Sequence, residues 1–125
     1  MLEHDKLYSG LAGADIGILT NLGEISLSEL TVDDPQVVFL ANYSAPGNEP
    51  GARVEQKRAS AGFALSGQDY TRTIQLTVGS TYLVRSIVYD RSDTLTAFTV
   101  TRKDHDGSVI IIWKRLKNYR TPKLN

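Results

Sequence analysis

TYLVRSIVYDRSDTLTAFTVTR, residues 81–102, decides the fold class. It is rich in β-branched and aromatic residues, and the polar cluster Asp90-Arg91-Ser92-Asp93 divides it into two extended segments. The first, 81–89, carries apolar side chains on both faces, the mark of a central strand covered on both sides. The second, 94–102, returns antiparallel to it. Downstream, Asp104-His105-Asp106-Gly107 leads into a further apolar segment, 109–116. Upstream, Tyr70, Ile74, Leu76 and Val78 alternate with Thr and Gln, the period-two pattern of a strand with one wet face. Gly79-Ser80 suits a two-residue turn between this segment and the next. The resulting expectation is an antiparallel four-strand meander over residues 70–117.

The first half is less regular. Its apolar residues (Ile16, Ile18, Leu19, Leu22 and Ile25 among them) stand between glycines, suggesting short N-terminal strands and turns. Residues 36–43, QVVFLANY, fit either a buried strand or a short helix. Asn48 can cap a helix that enters through Pro50, runs to about Ser60 and stops at Gly62. Only Ala52, Val54 and Ala59 give that helix an apolar side. With 125 residues and no linker, the chain reads as one domain, 1–125. The expected class is mainly β, bordering on β-rich α+β, either sandwich-like or a sheet covered on one face.

Composition excludes some chemistry. There is no cysteine, so disulfides, thiolate zinc sites and thiol nucleophiles are absent. The first residues lack a basic segment followed by a long apolar run, and no apolar stretch reaches the length of a membrane span. A cytoplasmic location without membrane contact is the expectation. Net charge is zero but segregated. Residues 1–50 hold eight acids against Lys6, and residues 51–125 hold 13 Lys or Arg against six acids. The acidic half then either folds onto the basic half or meets it in an oligomer, unless the basic half serves a polyanion.

Two carboxylates and an imidazole within 104–107 resemble the start of a calcium loop. Such a loop needs Gly at its sixth position and Glu at its twelfth. Counting from Asp104, those positions hold Val109 and Arg115, whereas Asp-Gly between β segments is a hairpin signal. Successive turns of a meander lie at opposite ends, so Asp104 and Asp106 stand a strand length from Asp90 and Asp93. Asp69, Asp90 and Asp93 share an end with Arg91, Lys117 and Arg120, which neutralise them. His4 and His105 are the two histidines, and neither sits in a nucleophile or metal motif. Gly10-Leu11-Ala12-Gly13 lacks the spacing and the Lys-Ser/Thr of a phosphate loop. No catalytic residue, metal ligand or cofactor is assigned.

The functional signals lie at the C-terminal end. Arg102, Lys114, Arg115, Lys117 and Tyr119 combine basic and aromatic groups of the kind that hold single-stranded nucleic acid. Against this, Lys114 and Arg115 point to opposite faces of a strand. Ile110, Ile112 and Leu116 share one face and Val109, Ile111 and Trp113 the other, so an uncovered strand here would form an apolar interface. The expected function is a non-catalytic binding or interaction domain, with a homodimer as one form of it. Polyanion binding through the five residues above is the alternative, and a small carboxylate hydrolase the second alternative.

Overall fold

The computed structural model describes residues 15–124 in full, together with the backbone of Leu2–Glu3 (β1) and Lys6–Tyr8 (β2). The chain is mainly β. Its main sheet is antiparallel, with strands Ile16–Gly23 (β3), Thr81–Val88 (β7), Ser92–Lys103 (β8) and Val109–Asn118 (β9) side by side in the order β3-β7-β8-β9. Phe63–Leu65 (β4) and Gln68–Tyr70 (β5) form a separate hairpin, and Thr73–Gln75 (β6) pairs with β2. Two helices, Val38–Ala41 (α1) and Glu49–Ala61 (α2), stand between β3 and β4.

The central strands form because both of their faces are buried. Leu83 and Ile87 of β7 and Leu95 and Ala97 of β8 point one way, joining Ile16 and Ile18 of β3, Leu40 of α1 and Ala52 and Ala59 of α2 in the larger core. Tyr82, Phe98 and Val100 point the other way onto Leu76, flanked by Ile74, Val84 and Val109. Tyr82 and Phe98 stack with ring centroids 5.3 Å apart, and the backbone N–H of Thr77 donates to the Tyr82 hydroxyl at 2.6 Å. The strip 71–78 is thus drawn across the second face.

The four-strand antiparallel sheet is present, but its fourth strand is β3 and not the alternating segment 70–78. That segment divides. Tyr70 ends a hairpin closed by Ser66 and Gly67, whose φ values of 51° and 80° are those of a two-residue hairpin turn. Thr71 exchanges two backbone hydrogen bonds with Leu19, at 2.7 and 2.9 Å, and Thr73–Gln75 turns to β2. Period two identified a half-buried extended chain without specifying its partner. Gly79-Ser80 does turn, with Gly79 at φ 91°, yet the turn extends the β7–β8 ladder: Gly79 N–H donates to Val100 and Val100 N–H to Ser80.

Helix α2 follows its local signals. The Asn48 side chain accepts from Gly51 N–H at 2.8 Å, Pro50 sits in the first turn, and the chain leaves through Gly62 at φ 80°. Ala52 and Ala59 are buried, while Val54 is exposed. Within residues 36–43 a short helix forms over Val38–Ala41, because Asp34 C=O accepts from both Val37 and Val38 N–H and starts a turn there. Removing the cap by Asn48→Ala is expected to lower unfolding free energy by about 1 kcal/mol, read by urea denaturation, with an unchanged slope.

Candidate functional site

The hairpin joining β8 to β9 accounts for the acidic turn. Asp104 N–H donates to Ser108 C=O at 2.9 Å, and Gly107 N–H returns to Asp104 C=O at 3.1 Å with φ 89°. Ser108 donates through its hydroxyl and its N–H to Asp106 Oδ1, at 2.7 and 3.0 Å, and these bonds hold the Asp106 carboxyl below the ordinary carboxylate range. Arg102 Nε pairs with Asp104 Oδ1 at 2.9 Å. Asp104 is held by Arg102 and Asp106 Oδ1 by Ser108, and His105 is exposed at the tip of the turn. Among the described residues no three His, Asp or Glu side chains gather as metal ligands would. His4 and the 10–13 glycine segment lie outside the described residues.

Strand β9 pairs with β8 on one side, and among the described residues nothing pairs with its other side. Four consecutive apolar side chains stand open along it: Ile110 (44% exposed), Ile111 (41%), Ile112 (53%) and Trp113 (60%). Ile111 and Trp113 lie beside Val100 and Phe98 on the face of the smaller core, whereas Ile112 lies beside Thr99 on the face of the larger one. Both faces and the backbone edge are therefore accessible at one place. Register shifts bend the ladder at two places, one beyond the run at Leu95/Thr96, opposite Lys117 and Arg115, and one within it at Val100/Arg102, opposite Ile111 and Ile110. The other edge of the sheet is closed, since the outer side of β3 carries the Thr71 bridge.

The five basic and aromatic residues singled out by sequence do not converge. Arg102 belongs to the acidic turn. Lys114 crosses the larger-core face and donates to the carbonyls of Ser28 and Leu30, at 3.2 and 2.8 Å, fixing the short 3-10 turn Leu27–Glu29. Arg115, on the opposite face, donates to Thr96 Oγ1 and Asn118 Oδ1. The Lys117 ammonium stands 5.0 Å from the Tyr119 ring centroid, and Tyr119 is itself a packing residue whose hydroxyl donates to Ala41 C=O at 2.7 Å.

One polar cluster escaped the sequence reading. Arg85 is 2% exposed at the middle of β7. Its Nε and Nη2 donate to the two carboxylate oxygens of Asp93, at 2.7 and 2.9 Å, and Nη1 donates to the carbonyls of Leu40 and Tyr43, both at 2.7 Å. The Tyr119 ring covers the guanidinium at 3.5 Å. Tyr43 donates to Glu55, and burial with that carboxylate pushes its phenol far above the usual range, so it remains a donor. The signal was available: an Arg between the inward positions Leu83 and Ile87, with an Asp eight residues later across a hairpin. Asp93 is therefore paired with Arg85 inside the fold, not with Arg91, Lys117 or Arg120 as its place at the sheet end suggested.

A cleft of 330 Å³ beside this cluster is bordered by Asn42, Ser44, Tyr119 and Arg120. A second, of 640 Å³, is lined by Val38, Phe39, Leu65 and Tyr70 with Gln36 and Gln68, and burial raises the Tyr70 phenol above its ordinary value. The smaller is also lined by Asp93, whose carboxylate is bound to Arg85, and the lining of the larger holds no carboxylate, imidazole or amine.

The Arg85 cluster is structural, and its removal has a calculable effect. Asp93→Ala leaves a buried guanidinium without its counter-charge and is expected to cost about 3–5 kcal/mol. Glu49→Ala, which removes an exposed pair with Arg53, is expected to cost about 1 kcal/mol or less. Chemical denaturation of both variants measures the contrast. Comparison with protein-family models, with curated proteins and with solved structures finds no match for this chain.

Proposed function

We propose that this chain is a non-catalytic interaction domain whose working surface is the outer edge of β9, where a partner strand is added to the sheet. The observation that carries this reading is the exposed run Ile110, Ile111, Ile112 and Trp113 on a strand paired along one side. Strand addition draws affinity from main-chain hydrogen bonds and specificity from alternate side chains, and β9 offers both. An exposed, apolar edge is otherwise a liability that proteins blunt. Here the opposite edge is blunted by Thr71 and this one is open. The role requires no cofactor. The basic residues flanking the run, Arg115 and Lys117, would adjust encounter rate and partner choice rather than supply the main affinity.

Trp113 is the single tryptophan of the chain, so its emission reports occupation of this edge without a label. A peptide of residues 109–118 carrying Trp113→Phe serves as the strand probe. Its addition to the protein is expected to shift Trp113 emission to the blue, saturably, and Ile112→Lys in the protein is expected to weaken that response by about tenfold or more. An emission unchanged by the peptide would sink the edge reading. A response abolished at roughly 0.5 M salt, where exposed charges are screened, would mean that the cationic peptide is held by acidic groups of the protein and would overturn the edge reading.

A further inference from the structure

We infer that the strand occupying this edge is β9 of a second copy of the chain, antiparallel to the first about a twofold axis at Ile111. This rests on the edge reading above. A C2 interface must be complementary to itself, so every residue of the patch must find a tolerable partner within the same patch. The apolar run extends over residues 109–113 and its middle is Ile111. Antiparallel pairing about Ile111 sets 111 against 111, 110 against 112 and 109 against 113, apolar on apolar throughout. Moving the axis one residue onward, to Ile112, sets Lys114 against Ile110 and Arg115 against Val109, placing charged side chains among the isoleucines.

Charge fixes the direction. The run is bounded on one side by the turn bearing Asp104 and Asp106 and on the other by Lys114, Arg115 and Lys117. Parallel pairing would bring turn beside turn and basic end beside basic end. Antiparallel pairing about Ile111 carries the basic end of each strand alongside the acidic turn of the other, with position 117 opposite 105. Asp106 and Lys117 are both exposed and available for this contact. Lys114, Asp104 and Arg115 are already engaged by Leu30, Arg102 and the Thr96–Asn118 pair, which leaves Asp106, held by Ser108 through Oδ1, and Lys117 as the charges that meet across the axis. The dimer joins two four-strand sheets into one of eight strands and covers the edge of both copies.

Sedimentation equilibrium of the whole chain over a wide concentration range tests this. The expected result is a monomer–dimer equilibrium, with Trp113 emission moving to the blue as dimer forms. Ile111→Lys, which sets two ammonium groups face to face at the axis, is expected to raise the dissociation constant by about tenfold or more. Asp106→Lys and Lys117→Asp are each expected to raise it by several-fold at low salt. An equimolar mixture of the two is expected to recover the original dimer, because both contacts across the axis then unite opposite charges. That recovery also shows that both variants are folded. A chain that stays monomeric while the 109–118 peptide still shifts Trp113 overturns self-pairing and leaves the edge reading intact. A dimer indifferent to Ile111→Lys, or charge variants that fail to recover on mixing, overturns this interface or its antiparallel direction.

Discussion

The rest of the structure depends on a guanidinium without access to water. Arg85 stands in the centre of the main sheet, where stripping an unpartnered cation of its hydration would cost several kcal/mol. The fold answers with four hydrogen bonds from three places: the Asp93 carboxylate at the start of β8, and the carbonyls of Leu40 and Tyr43 around the end of α1. Those carbonyls lie where a helix ends and backbone acceptors are left over. One side chain therefore fixes the β7–β8 hairpin and orients α1 on the sheet. Tyr119 completes the enclosure, with its ring on the guanidinium, its N–H donating to Asp93 C=O and its hydroxyl to Ala41 C=O.

That enclosure has a consequence at the edge. Because Tyr119 must leave the sheet to cover Arg85, β9 ends at Asn118 and the chain turns inward, where Pro122 C=O accepts from Asp90 N–H. The tail is thereby committed to the larger-core face at the Asp93 end and does not run along the outer side of β9. The strip 71–78, which covers the second face, is held at β3 by Thr71 and at Tyr82 by Thr77. Among the described residues, the tail and the strip 71–78 are both anchored away from Ile110, Ile111 and Ile112. The open edge follows from where the polar anchors sit.

What could be read from sequence was what neighbours along the chain determine. The Asn48 cap, the Gly62 stop and the hairpins around Asp90 and Gly107 each depend on a few adjacent residues, and each was legible. The mainly β class followed from β-branched density in 81–102. The pairing of β3 with β7 was not legible, because Ile16–Gly23 joins Thr81–Val88, about sixty residues further along the chain, and its side chains are buried on both faces without alternation. Arg85 was missed for a related reason: a charge within a strand is ordinarily assigned to the wet side, and its burial depends on carbonyls contributed by residues 40 and 43. At the edge, the composition of VIIIW showed that both faces were apolar. Whether anything covered them depended on the path of the first half and the tail.

The segregation of charge along the chain takes on a different meaning in the folded protein. The pairs Arg58–Glu55, Arg85–Asp93, Arg102–Asp104 and Lys123–Asp90 are all drawn within the basic half, and Lys114 meets the acidic half through backbone carbonyls rather than carboxylates. The acidic half is thus not needed to neutralise the Arg85, Arg102 or Lys123 cations. Near the edge, the turn before the apolar run carries Asp104 and Asp106 directly after Arg102 and Lys103, whereas Lys114, Arg115 and Lys117 follow the run without an acid. Charged residues flanking an apolar strand commonly act as gatekeepers that oppose indiscriminate stacking. Opposite signs at the two ends do more, because they disfavour a strand laid parallel and admit one laid antiparallel. In the proposed dimer the same residues that restrain aggregation would also select a direction of pairing, which would convert an exposed edge from a hazard into an address.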